Sequence, residues 1–199
     1  MGRASPPAHF ARALLLGLAW LAAPPASAQN QGLGVVRDGT LGRDPAGVVA
    51  PGPDDLGQAD YLIRADLGEQ HGRNLFHSFY RFSIGSGERA TFTDQGAPNP
   101  GAVENVISRV TGGEQSQIDG TLHSGIPGAD VWLLNPSGVV FGAGAELDVK
   151  GSFHAATADY LGFEGGLERF YAEDPLGSNV LATAPPAAFG FLGKRTGAP

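Results

Sequence analysis

The sequence has no cysteine, and its single methionine is Met1. Without cysteine the chain has neither a disulfide framework nor a thiolate metal site, so its stability must come from packing and backbone hydrogen bonds. Charged residues make up only 17% of the 199 residues, with 20 acidic against 13 basic side chains. An acidic chain with no basic cluster repels phosphate backbones, and no nucleic-acid partner is predicted.

Long apolar runs are also scarce, and the one at the N-terminus is too short to span a bilayer. Residues 1–28 combine the basic residues Arg3 and Arg12 with an apolar run and end in the small residues Ala26 and Ala28. This pattern predicts an export signal that is cleaved after Ala28. Its loss would make the net charge of −7 more negative.

Helical periodicity is missing from the rest of the chain. The 31 glycines and 15 prolines interrupt any 3.6-residue stripe, and even the best helix candidate, Leu161 to Ala172, contains three glycines. What remains are short β-branched or aromatic runs bounded by turn residues, which predict an all-β fold. We expect an extended N-terminal cap over residues 29–60, a strand-rich domain over 61–193 and a short tail over 194–199.

Aromatic residues concentrate in the run NLFHSFYRFSI. Strict alternation would place Phe76, Tyr80, Phe82 and Ile84 on one face of a strand and Leu75 with Phe79 on the other. These aromatic side chains are candidates for packing the N-terminal cap. The complete set of cap candidates is Phe76, Phe79, Tyr80, Phe82 and Phe92.

Apolar positions recur at a spacing of about twenty residues. The intervals are 24 residues from Ile107 to Val131, 21 from Ile118 to Val139 and 22 from Val131 to Phe153. A period of this size without helices favours a β-solenoid, in which successive coils stack through parallel pairing. A β-sandwich or barrel also has short strands at regular intervals, so spacing alone leaves those folds open.

The stretch ADVWLLNPSGVVFG places Asn-Pro-Ser-Gly between two runs that are apolar at nearly every position. Asn at the first position, Pro at the second and Gly at the fourth are typical of a type I turn, which suits a two-residue hairpin poorly. In a solenoid such a turn forms a corner between two faces of a coil. Because both runs are apolar throughout, both of their faces are predicted to be buried, with Leu133 and Val139 lining the core.

Four segments, in this order, carry a resemblance to a known family: NLFHSFYRFSI, NVISRVTGGEQSQIDGTL, ADVWLLNPSGVVFGAGAELDVKGSFHAAT and PPAAFGFLG. From about Gly39 to Gly193 the chain resembles the filamentous-haemagglutinin-type N-terminal secretion domain of two-partner-secretion exoproteins. The NPNG motif of that family corresponds to Asn135, Pro136, Ser137 and Gly138, with serine at the third position. A second family motif, NPNL, has no counterpart.

The resemblance implies a right-handed parallel β-helix with an N-terminal β cap, following a signal that is read by the Sec machinery. It also implies recognition by an outer-membrane two-partner-secretion transporter, a β-barrel with periplasmic repeats, and export to the cell surface. The parent protein would be an adhesin or haemagglutinin-like exoprotein, whose host or cell-surface ligand is bound by regions beyond this domain.

Two sets of residues are candidates for a functional role. Asn135, Pro136, Ser137 and Gly138 either form a structural corner or also contribute to transporter recognition. The same two interpretations apply to Asn105, Ser108 and Arg109 in NVISRVTG, where a buried arginine paired with a carboxylate is an equally good explanation. The resemblance names no catalytic residue, cofactor or metal ligand.

Two rival functions remain at this point. A β-helical enzyme acting on polysaccharide would cluster carboxylates and arginine on one face. The acids of this chain lie mostly in turns or singly in strands, and no histidine has a metal-binding spacing. A stand-alone carbohydrate-binding adhesin is the other rival, and binding of glycans by the isolated chain would favour it.

Overall fold

The computed structural model describes residues 1–2, 34–172 and 181–193. The predicted cleavage site at Ala26 and Ala28 and the predicted tail 194–199 lie outside these residues. Across the described part of the chain, no helix is long and apolar enough to cross a membrane.

Strands account for nearly all of the regular structure, and one 3₁₀ turn, Ala65–Leu67, accompanies them. In chain order the strands are β1 (Val35–Arg37), β2 (Gly47–Val48), β3 (Gly52–Pro53), β4 (Ala59–Arg64), β5 (Glu69–His71), β6 (Asn74–Phe82), β7 (Glu88–Thr93), β8 (Asn105–Val110), β9 (Ser116–Ile118), β10 (Thr121–Ser124), β11 (Asp130–Leu134), β12 (Val139–Phe141), β13 (Glu146–Asp148), β14 (Phe153–Ala156), β15 (Tyr160–Phe163), β16 (Arg169–Tyr171) and β17 (Pro186–Gly190).

Three parallel sheets wind into a β-solenoid of about three turns. The first sheet contains β6, β8, β11 and β14, the second contains β4, β7, β10 and β13, and the third pairs β9 with β12. The chain visits the first, third and second sheets in turn, so each coil lies on the one before it. The predicted parallel β-helix is confirmed.

The register shows how well residue spacing predicted the coils. Val131 pairs with Phe153, as the 22-residue interval indicated. The other two intervals are wrong by one or two residues, because Ile118 pairs with Phe141 and Ile107 pairs with Trp132. Coils also shorten along the chain, from 31 residues between Asn74 and Asn105 to 22 between Asp130 and Ser152.

Two apolar cores lie on opposite sides of the first sheet. Leu75, Val106 and Val131 point into the solenoid interior. Phe76 and Ile107 point outward, as strand alternation requires. The antiparallel sheet formed by β15, β16 and β17 contributes to the outer core the side chains of Leu161, Phe163, Phe170 and Phe189.

The β15–β16 region, the best helix candidate in the sequence, is therefore part of this outer sheet and not a helix. Its glycines sit where a helix would need strong helix formers, and its apolar residues Leu161, Phe163 and Phe170 all belong to the outer core. We call β15, β16 and β17 the outer hairpin sheet.

Antiparallel strands flank the N-terminal end of the solenoid. β1 pairs with β2 and β6, β3 pairs with β4, and β5 pairs with β6. Because β1 contributes Val35 to the interior core, this segment covers the first coil, in agreement with the predicted N-terminal β cap.

The predicted faces of the aromatic run are wrong for Phe82 and Ile84, which lie in the interior core and not on the side of Phe76. The pairing of β1 with β6 shifts by one residue between Arg37↔Phe79 and Val36↔Arg81. This β-bulge reverses the alternation, so Phe82 joins Phe79 inside the coils. Tyr80 is left on the surface with 48% of its area exposed, and it does not pack in the cap.

The prediction that both faces of the VVFG run are buried is also wrong. Phe141 is 44% exposed although its register partner in the preceding coil, Ile118, is fully buried. Leu147 is 48% exposed although its partner Leu122 is fully buried. In the part of the chain that the structure describes, no further coil covers β12 and β13, so their inward side chains meet solvent.

Candidate functional site

The Asn-Pro-Ser-Gly segment forms the corner between β11 and β12. The amide of Gly138 donates to the carbonyl of Asn135 at 2.9 Å, which closes a four-residue turn. Gly138 has φ of +121°, a conformation that glycine adopts without strain. Pro136, Ser137 and Gly138 are partly exposed.

Asn135 is fully buried, and both ends of its amide are used inside the chain. Its Nδ2 donates to the carbonyl of Glu114 and to Oγ of Ser116, both at 2.9 Å. Its Oδ1 accepts from the backbone amide of Ser137 at 3.0 Å. One side chain therefore shapes its own turn and fastens that turn to the preceding coil.

Asn105 belongs to a ladder of polar side chains on the outer face of the first sheet. Its Nδ2 donates to Oδ1 of Asn74 at 3.0 Å, and its Oδ1 accepts from the indole of Trp132 at 3.3 Å. Asn74 in turn donates to the carbonyls of Ala182 and Ala184. The ladder connects three coils with the segment that leads into β17.

Ser108 lies inside the solenoid in register with His77 of the preceding coil. Both side chains are fully buried, and neither His77 nitrogen nor the Ser108 hydroxyl has a hydrogen-bond partner among the described residues. The ring of His77 stacks on Phe79 at 5.9 Å. Burial lowers the pKa of His77 from 6.5 to about 3, because the imidazolium would lose its hydration without gaining an acceptor.

Arg109 is the largest fully buried side chain of the described chain. Its Nε donates to Oγ of Ser78 at 2.7 Å, its Nη1 to the carbonyl of Tyr171 at 2.8 Å, and its Nη2 to Oγ1 of Thr40 at 3.0 Å. The guanidinium also lies 4.6 Å above the ring of Phe170.

A carboxylate stands one hydroxyl away from this guanidinium. Oδ2 of Asp38 accepts from Ser78 at 2.5 Å and from Thr111 at 3.0 Å, while Oδ1 accepts from Thr40 at 2.8 Å. Burial raises the pKa of Asp38, but the hydrogen bonds from Ser78, Thr40 and Thr111 outweigh it and hold this pKa below the usual value. The predicted pairing of a buried arginine with a carboxylate thus exists, bridged by hydroxyl groups.

The remaining cap candidates lie in the two cores. Phe79, Phe82 and Phe92 belong to the interior core, where Phe82 stacks on Phe92 at 6.0 Å. Phe76 lies in the outer core, 5.0 Å from the ring of Phe170. The aromatic residues therefore serve both cores and not the cap alone.

The acidic side chains that a polysaccharide-active enzyme would need have structural contacts. Asp119 accepts from the amide of Gly144 at 2.9 Å, and Asp130 accepts from the amide of Ser152 at 2.6 Å. Asp148 lies 2.8 Å from both His123 and Lys150. No group of three or more potential metal ligands occurs within residues 1–2, 34–172 and 181–193.

Sequence reasoning missed Asp38, Asn74 and His77. Asn74 and His77 stand 31 residues before Asn105 and Ser108 and pair with them. A spacing of 31 residues for the first coil, in place of about twenty, would have identified both. Asp38 sits in an Asp-Gly-Thr turn whose short spacing predicts only the local bonds to Thr40. Its link to Arg109 depends on the antiparallel pairing of β1 with β6, which brings Asp38 next to Ser78 and which no local pattern predicts.

Comparisons with known proteins agree with this architecture. A family model described as the TPS secretion domain matches residues 60–188. The heme/hemopexin-binding protein of Haemophilus influenzae is 38% identical over 81 residues, which are 41% of this chain and 8% of that relative. No solved structure matches. Because the family model covers well over half of the chain, including the Asn135 corner and Arg109 itself, the chain belongs to the TPS secretion domains of two-partner-secretion exoproteins.

Proposed function

We propose that this chain is a secretion-targeting module that a cognate outer-membrane transporter recognises in the periplasm through its periplasmic repeats. The chain would reach the periplasm through the Sec machinery and fold as a β-helix at the cell surface. TPS exoproteins as a group are secreted across the outer membrane. The observation that carries the proposal is the family match over the coils that contain Asn135 and Arg109.

The physical character of the fold supports export in an unfolded form. Its parallel strands pair residues 22 to 31 positions apart, and such non-local pairing is slow to form. With no cysteine, no disulfide locks the chain before a second membrane is crossed. Coil-by-coil folding outside the cell would then prevent the exported chain from sliding back through the transporter.

The parent exoprotein, in this proposal, is an adhesin or haemagglutinin-like protein whose effector regions lie outside this domain. The chain spans only 8% of its heme/hemopexin-binding relative, so that relative's ligand supplies no assignment for this domain. A non-enzymatic role agrees with the structural contacts of Asp119, Asp130 and Asp148.

For the Asn135 corner, burial favours an indirect role in recognition. The Asn135 amide is wholly engaged inside the folded chain, so a partner that binds the folded domain contacts Pro136 and Ser137 instead. In the unfolded chain all four residues are available to the transporter. Stability and secretion therefore have to be measured separately for each variant.

The test expresses the protein with and without its paired transporter and compares secreted with periplasmic protein. Wild-type secretion is expected to require the transporter. Asn135→Ala should reduce secretion and, by leaving the Glu114 carbonyl and Ser116 without their donor, lower the free energy of unfolding by about 1–3 kcal/mol. Ser137→Asn, which restores the usual family residue at a partly exposed position, is the matched control and should secrete normally.

Ile118→Val provides a second control, because it weakens the interior core by about 1 kcal/mol without touching the corner. If Asn135→Ala impairs secretion no more than a core variant of equal stability, the corner has only a structural role. Transporter-independent secretion of the wild type would overturn the proposed function itself.

A further inference from the structure

Arg109 contacts three parts of the chain that are distant in sequence. Thr40 lies in the N-terminal segment, 69 residues away; Ser78 lies on β6, 31 residues away; and Tyr171 ends β16, 62 residues away. The N-terminal segment, the solenoid and the outer hairpin sheet therefore meet at one guanidinium group.

A buried guanidinium tolerates few missing partners. Removing an arginine from water without complete hydrogen bonding is strongly unfavourable, and losing one partner of a buried charge is far more damaging than losing an exposed ion pair. Two of the hydrogen bonds that Arg109 donates, to Oγ1 of Thr40 and to the carbonyl of Tyr171, form only when both of those segments are in place.

The hydroxyls of Ser78 and Thr40 relay this interaction to the counter-charge. Each hydroxyl accepts from Arg109 and donates to Asp38, so each uses its single proton. Asp38 belongs to the same N-terminal segment as Thr40. Docking of that segment thus supplies both an acceptor and a negative charge to the buried cation.

We propose that Arg109 couples the N-terminal segment to the outer hairpin sheet, so that these two elements and the solenoid strands between them fold and open as one cooperative unit. An incomplete chain that lacks Tyr171 would leave the guanidinium short of a partner, and the coils around β8 would then be weakened.

For export the coupling has a consequence that rests on the proposed function. The first coils would not fold stably until the chain as far as Tyr171 is available. The domain would therefore stay unfolded, and accessible to the transporter, until nearly all of it has entered the periplasm. The test below uses purified protein without a transporter, so its failure would leave the proposed function standing.

Native-state hydrogen exchange followed by mass spectrometry tests the coupling. Thr40→Val removes the acceptor for Nη2 while leaving β16 untouched. We expect exchange of the β16 amides to accelerate by about tenfold or more, because one hydrogen bond to a buried charge is lost. In the wild type, β8 and β16 should open with the same denaturant dependence.

A double-mutant cycle separates coupling from general destabilisation. In the Arg109→Met background, Thr40→Val should change β16 exchange by less than about twofold. Arg109→Lys is run in parallel, since its single ammonium keeps the charge but does not span Thr40, Ser78 and Tyr171 together. Thr121→Val, a hydroxyl on the second sheet outside the network, is the control and should leave β16 unchanged. Equal effects of Thr40→Val with and without the arginine, or no effect on β16 in either, would overturn the proposal.

Discussion

His77 shows how a single buried residue makes the stability of this fold depend on pH. Its imidazole is enclosed by Gly68, Phe79 and Phe92, and both ring nitrogens lack a partner among the described residues. The folded protein therefore holds the neutral form, with a pKa of about 3 against 6.5 for an unperturbed histidine.

The sign of the pH effect follows from this lowered pKa. Between pH 6.5 and about 3 the unfolded chain binds a proton at His77 and the folded chain does not, so the free energy of unfolding falls as the pH falls. At pH 5 the loss relative to pH 8 is about 2 kcal/mol. Chemical denaturation of the wild type and of His77→Leu at both pH values measures the difference.

In the His77→Leu variant this part of the pH dependence should be absent. The contributions of His71, His123 and His154 are common to both proteins and cancel in the comparison. Equal slopes of stability against pH for the two proteins would show that His77 binds a proton as readily in the folded as in the unfolded state, which would contradict its burial without partners among the described residues.

The residues that could be predicted from the sequence are those with a local signature. Asn135 stands in a turn motif, and Asn135, Pro136 and Gly138 together predict its corner position. For Arg109 the sequence left burial beside a carboxylate as one of two interpretations, and it could not name the partners Thr40 and Tyr171, which lie 69 and 62 residues away. His77 was missed because a histidine among aromatic residues has no pattern that separates an interior from a surface position.

At the scale of the elements, glycine marks the corners where one coil approaches the backbone of another. Gly120, between β9 and β10, is buried, and a Cβ at this position would overlap the carbonyl oxygens of Gly85 and Glu88 in the preceding coil. Those oxygens are backbone atoms, so they cannot move aside as the end of a flexible side chain could.

Gly120→Ala should consequently lower the free energy of unfolding by about 2 kcal/mol or more, since the coils must separate locally to admit a methyl group. Gly125→Ala, at the position directly after β10, is the matched control. There the nearest atom to a new Cβ is the carbonyl oxygen of Phe92 at an ordinary 3.6 Å. The control should change stability by no more than about 0.5 kcal/mol.

Denaturant titration of both variants checks this prediction. If Gly120→Ala proves as stable as Gly125→Ala, the coils at this corner are further apart than the structure places them. The comparison is informative because both substitutions add the same methyl group and neither glycine has a positive φ.

At the level of elements, prediction failed where the pairing of two strands, and not the alternation of residues within one strand, decides which face a side chain occupies. The run from Asn74 to Phe82 alternates as predicted up to Tyr80, and then the bulge opposite β1 places Phe82 on the same inner face as Phe79. A bulge depends on the partner strand, so the sequence of β6 alone does not locate it. The existence of the strand and the placement of Phe76 opposite Leu75 and Phe79 needed only the local pattern and neighbouring turns.

At the scale of the whole molecule, the described residues cover one end of the solenoid and leave the other end open. The N-terminal end carries the antiparallel strands β1, β2 and β3. At the opposite end, Phe141 and Leu147 point along the interior core yet remain nearly half exposed. The twenty-residue period predicted stacked coils, but a period contains no information on where the stack ends.

An open sheet edge with exposed apolar side chains promotes association between copies. We therefore expect the purified protein to associate as its concentration rises, and Leu147→Lys to reduce this association by placing a charge in the open end. Stability should change little, since Leu147 is already 48% exposed. Sedimentation velocity over a concentration series measures the effect.

Leu62→Lys is the matched control, because Leu62 is 43% exposed on β4, two strands away from β10 and next to the edge strand β3, and the substitution adds the same charge. A general effect of reduced negative charge would alter both variants equally, whereas association through the open end is suppressed only by Leu147→Lys. If both variants associate like the wild type, the contact between copies does not involve Leu147. The last coil would then remain exposed to solvent without promoting association.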